Sequence, residues 1–266
     1  MSEETGVAVW EKAFEFKGSN LIPKPESVSS LALPQDVVGR ENMDVDDLIV
    51  PSLALLQATS EAVTSGVSKP GLFLHSNSGE IIEPPVKALI VHYHKSNAFF
   101  PPQGDAAKAY PELEGKETCL SRDAQVGTRY GTCEDCRLCL DWFEDGRKPA
   151  GAVNHVFTLI TDEGPATIRF SRSSYKAGSQ FLSNWGFTNK NLWHHPVEII
   201  VIPKPKELSG GRSTFYQTMV MRWIKSEETP QAWVEVARKA FDTIRGAHDA
   251  GKFSDELENT PGEFDE

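Results

Sequence analysis

The chain carries none of the short motifs that place a nucleophile, a phosphate cradle or a zinc-activated water. Its 266 residues contain no G-x-S-x-G, no P-loop, no G-x-G-x-x-G and no H-E-x-x-H, so nothing in it gives a positive sign of an enzyme. Long apolar runs are missing too: no stretch approaches the roughly 18 residues that a membrane span needs. Met1-Ser2-Glu3-Glu4 offers neither the basic start nor the apolar core of an export signal, and a cytoplasmic protein is expected. Positive charge is scarce, with 27 Lys and Arg against 38 Asp and Glu and a net charge of −11. Attraction to nucleic acid therefore cannot come from the overall balance and needs a local patch. There is no internal repeat. Cysteine is absent outside one short stretch, and the last fourteen residues hold six carboxylates but no Lys or Arg.

What is present, 39% hydrophobic and 24% charged residues, is enough for a sizeable core. Residues 1–45 are poor in periodicity and mix Pro23, Pro25 and Pro34 with Ser27, Ser29 and Ser30, as in a flexible arm. Residues 46–250 form the body, and 251–266 are an acidic tail with too few apolar anchors to offset its ordering entropy. In the body, short β-branched runs at Leu72–His75, Val86–Tyr93, Val153–Ile160, Ala166–Phe170, Val197–Ile202 and Thr214–Ile224 predict five or more strands. A short helix is expected over Ser173–Trp185, where Ala177, Phe181 and Leu182 share a face. A helix between the third and fourth of five strands is the layout of an OB barrel, provided that about 96–150 is an insertion after the first strand. A C-terminal amphipathic helix follows, with Thr229 as cap, Pro230 at the first helical position and a packing stripe of Trp233, Val236, Ala237, Ala240, Phe241 and Ile244. The expected fold is mainly β with a few helices, an α+β class built on a five-stranded OB-like barrel.

The insertion holds all the cysteines: Cys119, Cys133, Cys136 and Cys139. Two consecutive two-residue gaps turn the side chains toward one point, and four thiolates fit a single, closed, structural Zn2+ site. Disulfides or free thiols are the alternative, disfavoured by a reducing compartment. C-x2-C-x2-C also opens an iron–sulfur pattern, but no fourth cysteine follows three residues after Cys139 and no proline follows it directly. Among the histidines, His92 and His94 share a strand face and His194-His195 adjoin Trp193. Neither pair has a third ligand or a general-base carboxylate at a recognisable spacing.

Between His155 and Lys225 nine cations stand against four acids, interleaved with aromatic rings. Most of these rings belong in a core. Strand parity puts Phe215, Met219, Met221 and Trp223 on one face and Tyr216, Thr218 and Arg222 on the other; Tyr93 and Lys95 likewise share a face. Single-stranded nucleic acid needs cations along its phosphates and rings for its bases. The expected DNA-binding face is Tyr93, Lys95, Arg169, Tyr216 and Arg222, rimmed by Arg172, Lys176, Lys204, Lys206 and Arg212, with Leu208-Ser209-Gly210-Gly211-Arg212 as a mobile loop.

An OB-like body, a four-cysteine insertion and a tail ending Gly262-Glu263-Phe264-Asp265-Glu266 together resemble a bacteriophage single-stranded DNA-binding protein, over roughly residues 48–266. Val50-Pro51-Ser52-Leu53-Ala54-Leu55-Leu56-Gln57, followed by Lys69-Pro70-Gly71, also resembles the start of phage proteins of this kind. The best-known zinc-containing members use one histidine ligand, so their metal site does not carry over to four cysteines. The resemblance implies a protein that coats unwound strands during phage DNA replication, recombination and repair in the host cytoplasm. It also implies a tail that competes with DNA and recruits polymerase, helicase or nuclease partners through Asp255, Glu256, Glu258, Glu263, Phe264, Asp265 and Glu266. The N-terminal arm would serve self-association on DNA. Two rival functions are a zinc-containing transcription or host-takeover factor that grips a protein such as RNA polymerase, and a nuclease that sets the histidine pairs beside carboxylates.

Overall fold

The computed structural model describes residues 49–249, apart from 103–104, 142, 163, 209–211 and 227, together with 254–255. The expected arm and most of the expected acidic tail lie outside the described residues.

One long strand organises the body. Strand β5, Val86–Phe99, follows the short strands β1 Ile49–Val50, β2 Leu53–Leu55, β3 Phe73–His75 and β4 Ile81–Ile82. Its consecutive residues Ala88, Leu89, Ile90 and Val91 are all buried, because the strand is covered on both faces and has no solvent side to alternate with. Downstream come β6 Cys119–Ser121, β7 Val126–Gly127, β8 Gly131–Thr132, β9 Ala152–Thr161, β10 Gly164–Phe170, β11 Val197–Leu208, β12 Arg212–Trp223 and β13 Ser254–Asp255. The main sheet runs β10-β9-β5-β11-β12, with β6 on the far end of β5; every pairing in it is antiparallel. A register shift between Ile90 and His92 adds a residue to β5 and turns its sides over. Ile90 opposite Leu159 and Tyr93 opposite Phe157 therefore face the same way.

That side is the core. Phe157 meets Phe170 and Phe181 edge to face, at 5.6 and 5.8 Å between ring centres, the arrangement that aromatic quadrupoles favour. Truncating Phe157 to Ala should cost about 3–5 kcal/mol. Phe181 comes from helix α4, Arg172–Gly186, which spans the predicted segment and follows the short helices α1 Glu61–Thr64, α2 Asp105–Lys108 and α3 Cys133–Cys136. At Gly178 a Cβ would sit 2.9 Å from Phe170 Cβ and 3.0 Å from His155 Cδ2, so the helix reaches the sheet only through a residue without a side chain. Helix α5, Gln231–Asp249, buries Trp233, Ala237, Ala240, Ile244 and Ala247, the helical spacing of an amphipathic face. It covers the opposite side of β5, where Phe241 packs on His92 and Trp193. The α+β class is as expected.

The barrel is not closed by strand pairing: among the described residues β10 and β12, the two ends of the path, do not pair with each other. The chain before β3 laces them instead. The Pro51 carbonyl accepts from Thr167 N at 2.7 Å, and Ser52 bridges to Thr167. Farther on, the Gln57 amide mimics a strand: its Oε1 accepts from Gln217 N at 2.8 Å and its Nε2 donates to Gln217 O at 3.0 Å. The Ser174 hydroxyl accepts from Met219 N at 3.0 Å and joins α4 to β12.

The insertion starts later than expected. Ser96 to Ala98 still pair with β9, and Asn97 to Phe99 with β6. Polar Ser96 and Asn97 suggest a strand end, but both are buried, and Asn154 Nδ2 donates to Ser96 Oγ at 3.3 Å. At the other end of the body, Ser254–Asp255 run parallel to Ile49–Val50. Among the described residues no helix is long and apolar enough to cross a membrane.

Candidate functional site

Two places carry the chemistry expected from the sequence: the thiol cluster and the basic surface around α4 and the β11–β12 hairpin. In the insertion, β6 sets Cys119 opposite Phe99, and β7 and β8 pair as a tight hairpin leading into α3. Thr132 caps α3 by accepting from Asp135 N. Arg137, at a left-handed φ of 55°, then ends the turn and sends Cys139 back toward the sheet. All four cysteines are free; Cys119 and Cys133 are buried, and Cys119 belongs to a small second core with Phe99, Leu113 and Ala150, against which Cys139 packs.

Two glycines press directly on the sulfurs. A Cβ on Gly127 would lie 2.6 Å from Cys119 Sγ, and one on Gly151 2.2 Å from Cys139 Sγ. The Cys139 thiol is pushed up to about 12 by burial first and then by Cys136, Cys133 and Cys119. The structure thus gathers the four thiols into one neighbourhood whose charges feel one another. As the side chains stand, among the described residues no three His, Cys, Asp or Glu groups converge on a common point at ligating distance. Donor type, burial and glycine cradle fit a metal; the final inward turn of the sulfurs is not made.

The five residues expected on the DNA-binding face, Tyr93, Lys95, Arg169, Tyr216 and Arg222, do not share one side of the sheet. Tyr93 lies opposite Phe157, which lies opposite Ile168, so Tyr93 and Lys95 point to the core side of the sheet and Arg169 to the other. Tyr216 and Arg222 pair with Lys204 and Glu198 across β11, and Glu198 pairs with Lys87 of β5. This puts them on the Arg169 side of the sheet, and Arg169 itself lines a cleft with Ser173, Ser174 and Met219.

Tyr93 is half-buried. Its ring lies 5.2 Å from that of Phe157, and its hydroxyl is 2.9 Å from His155 Nδ1, while burial pushes the phenol up to about 12. The ring is engaged in packing, with part of it left exposed. His155 continues the chain of contacts, with Nε2 2.8 Å from Ser179 Oγ and Tyr175 stacked on its ring at 4.4 Å. Burial and then the Lys95 charge hold His155 down to about 4, so its imidazole is neutral at pH 7. Arg222 is tied by its Nε to Glu198 Oε1 at 2.7 Å, with its side chain still about half exposed.

The remaining cations fall in two groups. Lys95, Arg172 and Lys176 are exposed; Arg172 starts α4 at a φ of 42° and donates through Nη2 to the Ala150 carbonyl at 3.3 Å. The second group is the hairpin. All twelve residues of β11 pair with β12, but only Val197–Ile199 pair with β5. The rest therefore runs on as a two-stranded ribbon with exposed Lys204 opposite half-buried Tyr216. Lys206 and Arg212 lie in its strands, their side chains outside the described residues; the loop 209–211 is outside as well. At the ribbon's base, Thr218 Oγ1 donates to the Ser173 carbonyl at 3.2 Å, so the ribbon springs from beside the first turn of α4.

Two of the rings interleaved with the cations, Tyr175 and Phe187, were not assigned to the expected DNA-binding face. Tyr175 is the outer member of the Tyr93–His155–Tyr175 stack, and Phe187, just after α4, is 91% exposed. Phe187 was legible only as the residue after the helical pattern stops, a position that gives no side to face. Of the proposed tail residues, Asp255 has its backbone in β13; Glu256, Glu258, Glu263, Phe264, Asp265 and Glu266 lie outside the described residues.

A family model described as Pam3 phage gp34-like protein matches residues 19–242. No curated protein matches the chain, and no solved structure does.

Proposed function

The chain belongs to the Pam3 phage gp34-like protein family, and for this phage protein we propose nonenzymatic binding of single-stranded DNA, with little sequence preference, in the host cytoplasm. The observation that carries the proposal is the β11–β12 ribbon, which extends beyond the sheet with Lys204 opposite Tyr216 and has Lys206 and Arg212 in its strands. A ring and a cation paired on a projecting ribbon suit a strand whose bases are open to stacking and whose phosphates are evenly charged. Duplex DNA hides its base faces and offers such a ribbon only phosphates.

The strand order supports an OB-like body. The path β10-β9-β5-β11-β12, with α4 between its third and fourth strands in chain order, matches that layout, and the β11–β12 connection corresponds to a loop flanking the binding groove. Lys95, Arg172, Tyr175 and Lys176 would extend the contact from the ribbon's base. Arg169, which lines a cleft with Ser173, Ser174 and Met219, would lie beside the ribbon's base.

Cys119, Cys133, Cys136 and Cys139 would hold one structural Zn2+. In small peptides such ions contribute folding free energy on the order of 10 kcal/mol. Here zinc would order the insertion that Arg172 ties to α4 through Ala150. Mercurial titration of the four thiols should release one zinc per chain; a brown, iron-loaded protein would contradict it. The acidic tail would recruit replication or recombination proteins and compete with DNA for the basic surface. A competition assay tests the DNA proposal: unlabelled single strands should displace labelled oligo-dT, while duplex of equal length should not. Equal displacement by duplex would count against it.

A further inference from the structure

Away from both sites, a third cluster of ligand-type side chains lies where α5 crosses β5. His92 and His94, two apart on the strand, point to the side that α5 covers, and the helix brings His248 onto them. The ring centres form a triangle: His92 to His94 5.5 Å, His92 to His248 5.5 Å, and His94 to His248 4.8 Å. His92 and His94 are both buried. From the sequence, His92 and His94 were a pair without a third ligand; the fold supplies one from the last turn of the last described helix.

We propose that His92, His94 and His248 form a binding site for a divalent transition metal, zinc or a close neighbour, which fastens α5 to β5. Imidazole nitrogens at about 2.0–2.1 Å from a tetrahedral ion put ring centres roughly 5 Å apart, and the triangle has that size already. The rings as they stand do not converge at ligating distance. The histidine χ2 torsion is soft and broad, so turning the rings inward moves no backbone. The electrostatics agree. Burial, and then the neighbouring His248, hold His92 down to about 4 and His94 to about 3, so the neutral, ligating form is present at pH 7 without loss of a proton. Asp249, paired with Arg245 at 3.5 Å, supplies a negative charge that acts on His92, while Arg245 and Arg169 supply positive charge on the cluster. Phe241, 6.1 Å from His92, makes an apolar wall. Three imidazoles leave a fourth position for water or the Asp249 carboxylate.

The proposal is independent of DNA binding and of the thiol site, and its test keeps them apart. Untagged full-length protein, first given one equivalent of zinc, is titrated with cobalt(II). The expected result is one equivalent of cobalt with visible ligand-field bands and no thiolate charge-transfer band, together with an unfolding midpoint that rises with cobalt concentration. His248→Gln, and separately His94→Gln, should weaken that cobalt by more than the roughly 10–100-fold that loss of an outer-shell partner costs. Cobalt taken up with ligand-field bands alone supports the site whether or not the thiols hold zinc. Absence of such cobalt from the wild-type protein, or its retention at full affinity in both variants, overturns it.

Discussion

Tyr216 and Tyr93 are both tyrosines on strands, each paired in register with a residue of the next strand, yet the fold uses them differently. Tyr216 faces Lys204 on the ribbon, beyond the reach of β5. Tyr216→Ala should weaken oligo-dT binding by about 1–3 kcal/mol and leave the urea midpoint unchanged; a protein that unfolds instead would show the ring to be core. Tyr93 leans on Phe157 and His155, so Tyr93→Ala should lower stability before it touches binding. His155 gives a pH test. Its folded pKa, about 4, lies below the unfolded value of roughly 6.5, so the unfolded chain binds more protons between the two. His155 therefore favours folding fully above about 6.5, and that contribution is lost as pH falls toward 4. The urea midpoint of the wild-type protein should fall across this window more steeply than that of His155→Gln, and parallel curves would remove His155 from the account. Parity made part of this legible: Met219 and Met221 turn inward and Arg222 outward, as alternation requires. It could not show that Glu198 would neutralise Arg222, because the partner sits on a neighbouring strand whose register the sequence does not print.

At the scale of elements, α4 and α5 were legible because each carries an apolar stripe at helical spacing that has only one way to be buried. The continuation of β5 through Ser96 and Asn97 was not, since polar residues that pair inside a sheet look like a strand's end. Nor was the lacing of β10 to β12: Gln57 acts through an amide that imitates backbone, and no pattern marks that. The thiol insertion was legible from cysteine spacing alone, but its cradle was not. Gly151 presses on Cys139 Sγ and also on the Ala98 carbonyl, 3.1 Å from where a Cβ would stand, and the backbone cannot give way cheaply. Gly151→Ala should therefore lower the zinc released per chain by mercurials and destabilise the insertion. If the variant keeps full zinc and an unchanged melting midpoint, the sulfurs are not held as described. Gly186→Ala is the control for space, because nothing stands within 4 Å of its Cβ position and its φ is not left-handed.

Across the whole molecule, a net charge of −11 coexists with cations gathered around α4 and the β11–β12 ribbon. The β1–β13 pairing anchors the chain at Ser254–Asp255, so the acids that follow are tethered to the body that carries those cations. Deleting residues 256–266 spares that pairing and should raise DNA affinity at low salt, with the gain fading as salt screens the tail; unchanged affinity would leave the tail a solubilising end. The central claim is that this body binds single strands through phosphates and stacked bases, and one titration meets it directly. Tryptophan fluorescence of the full chain, which has six tryptophans, is followed against oligo-dT at two salt concentrations. Binding should quench the signal and weaken with a log–log slope near −0.7 per phosphate neutralised, about −3 if four cations engage. No quenching, or an affinity indifferent to salt, would contradict it.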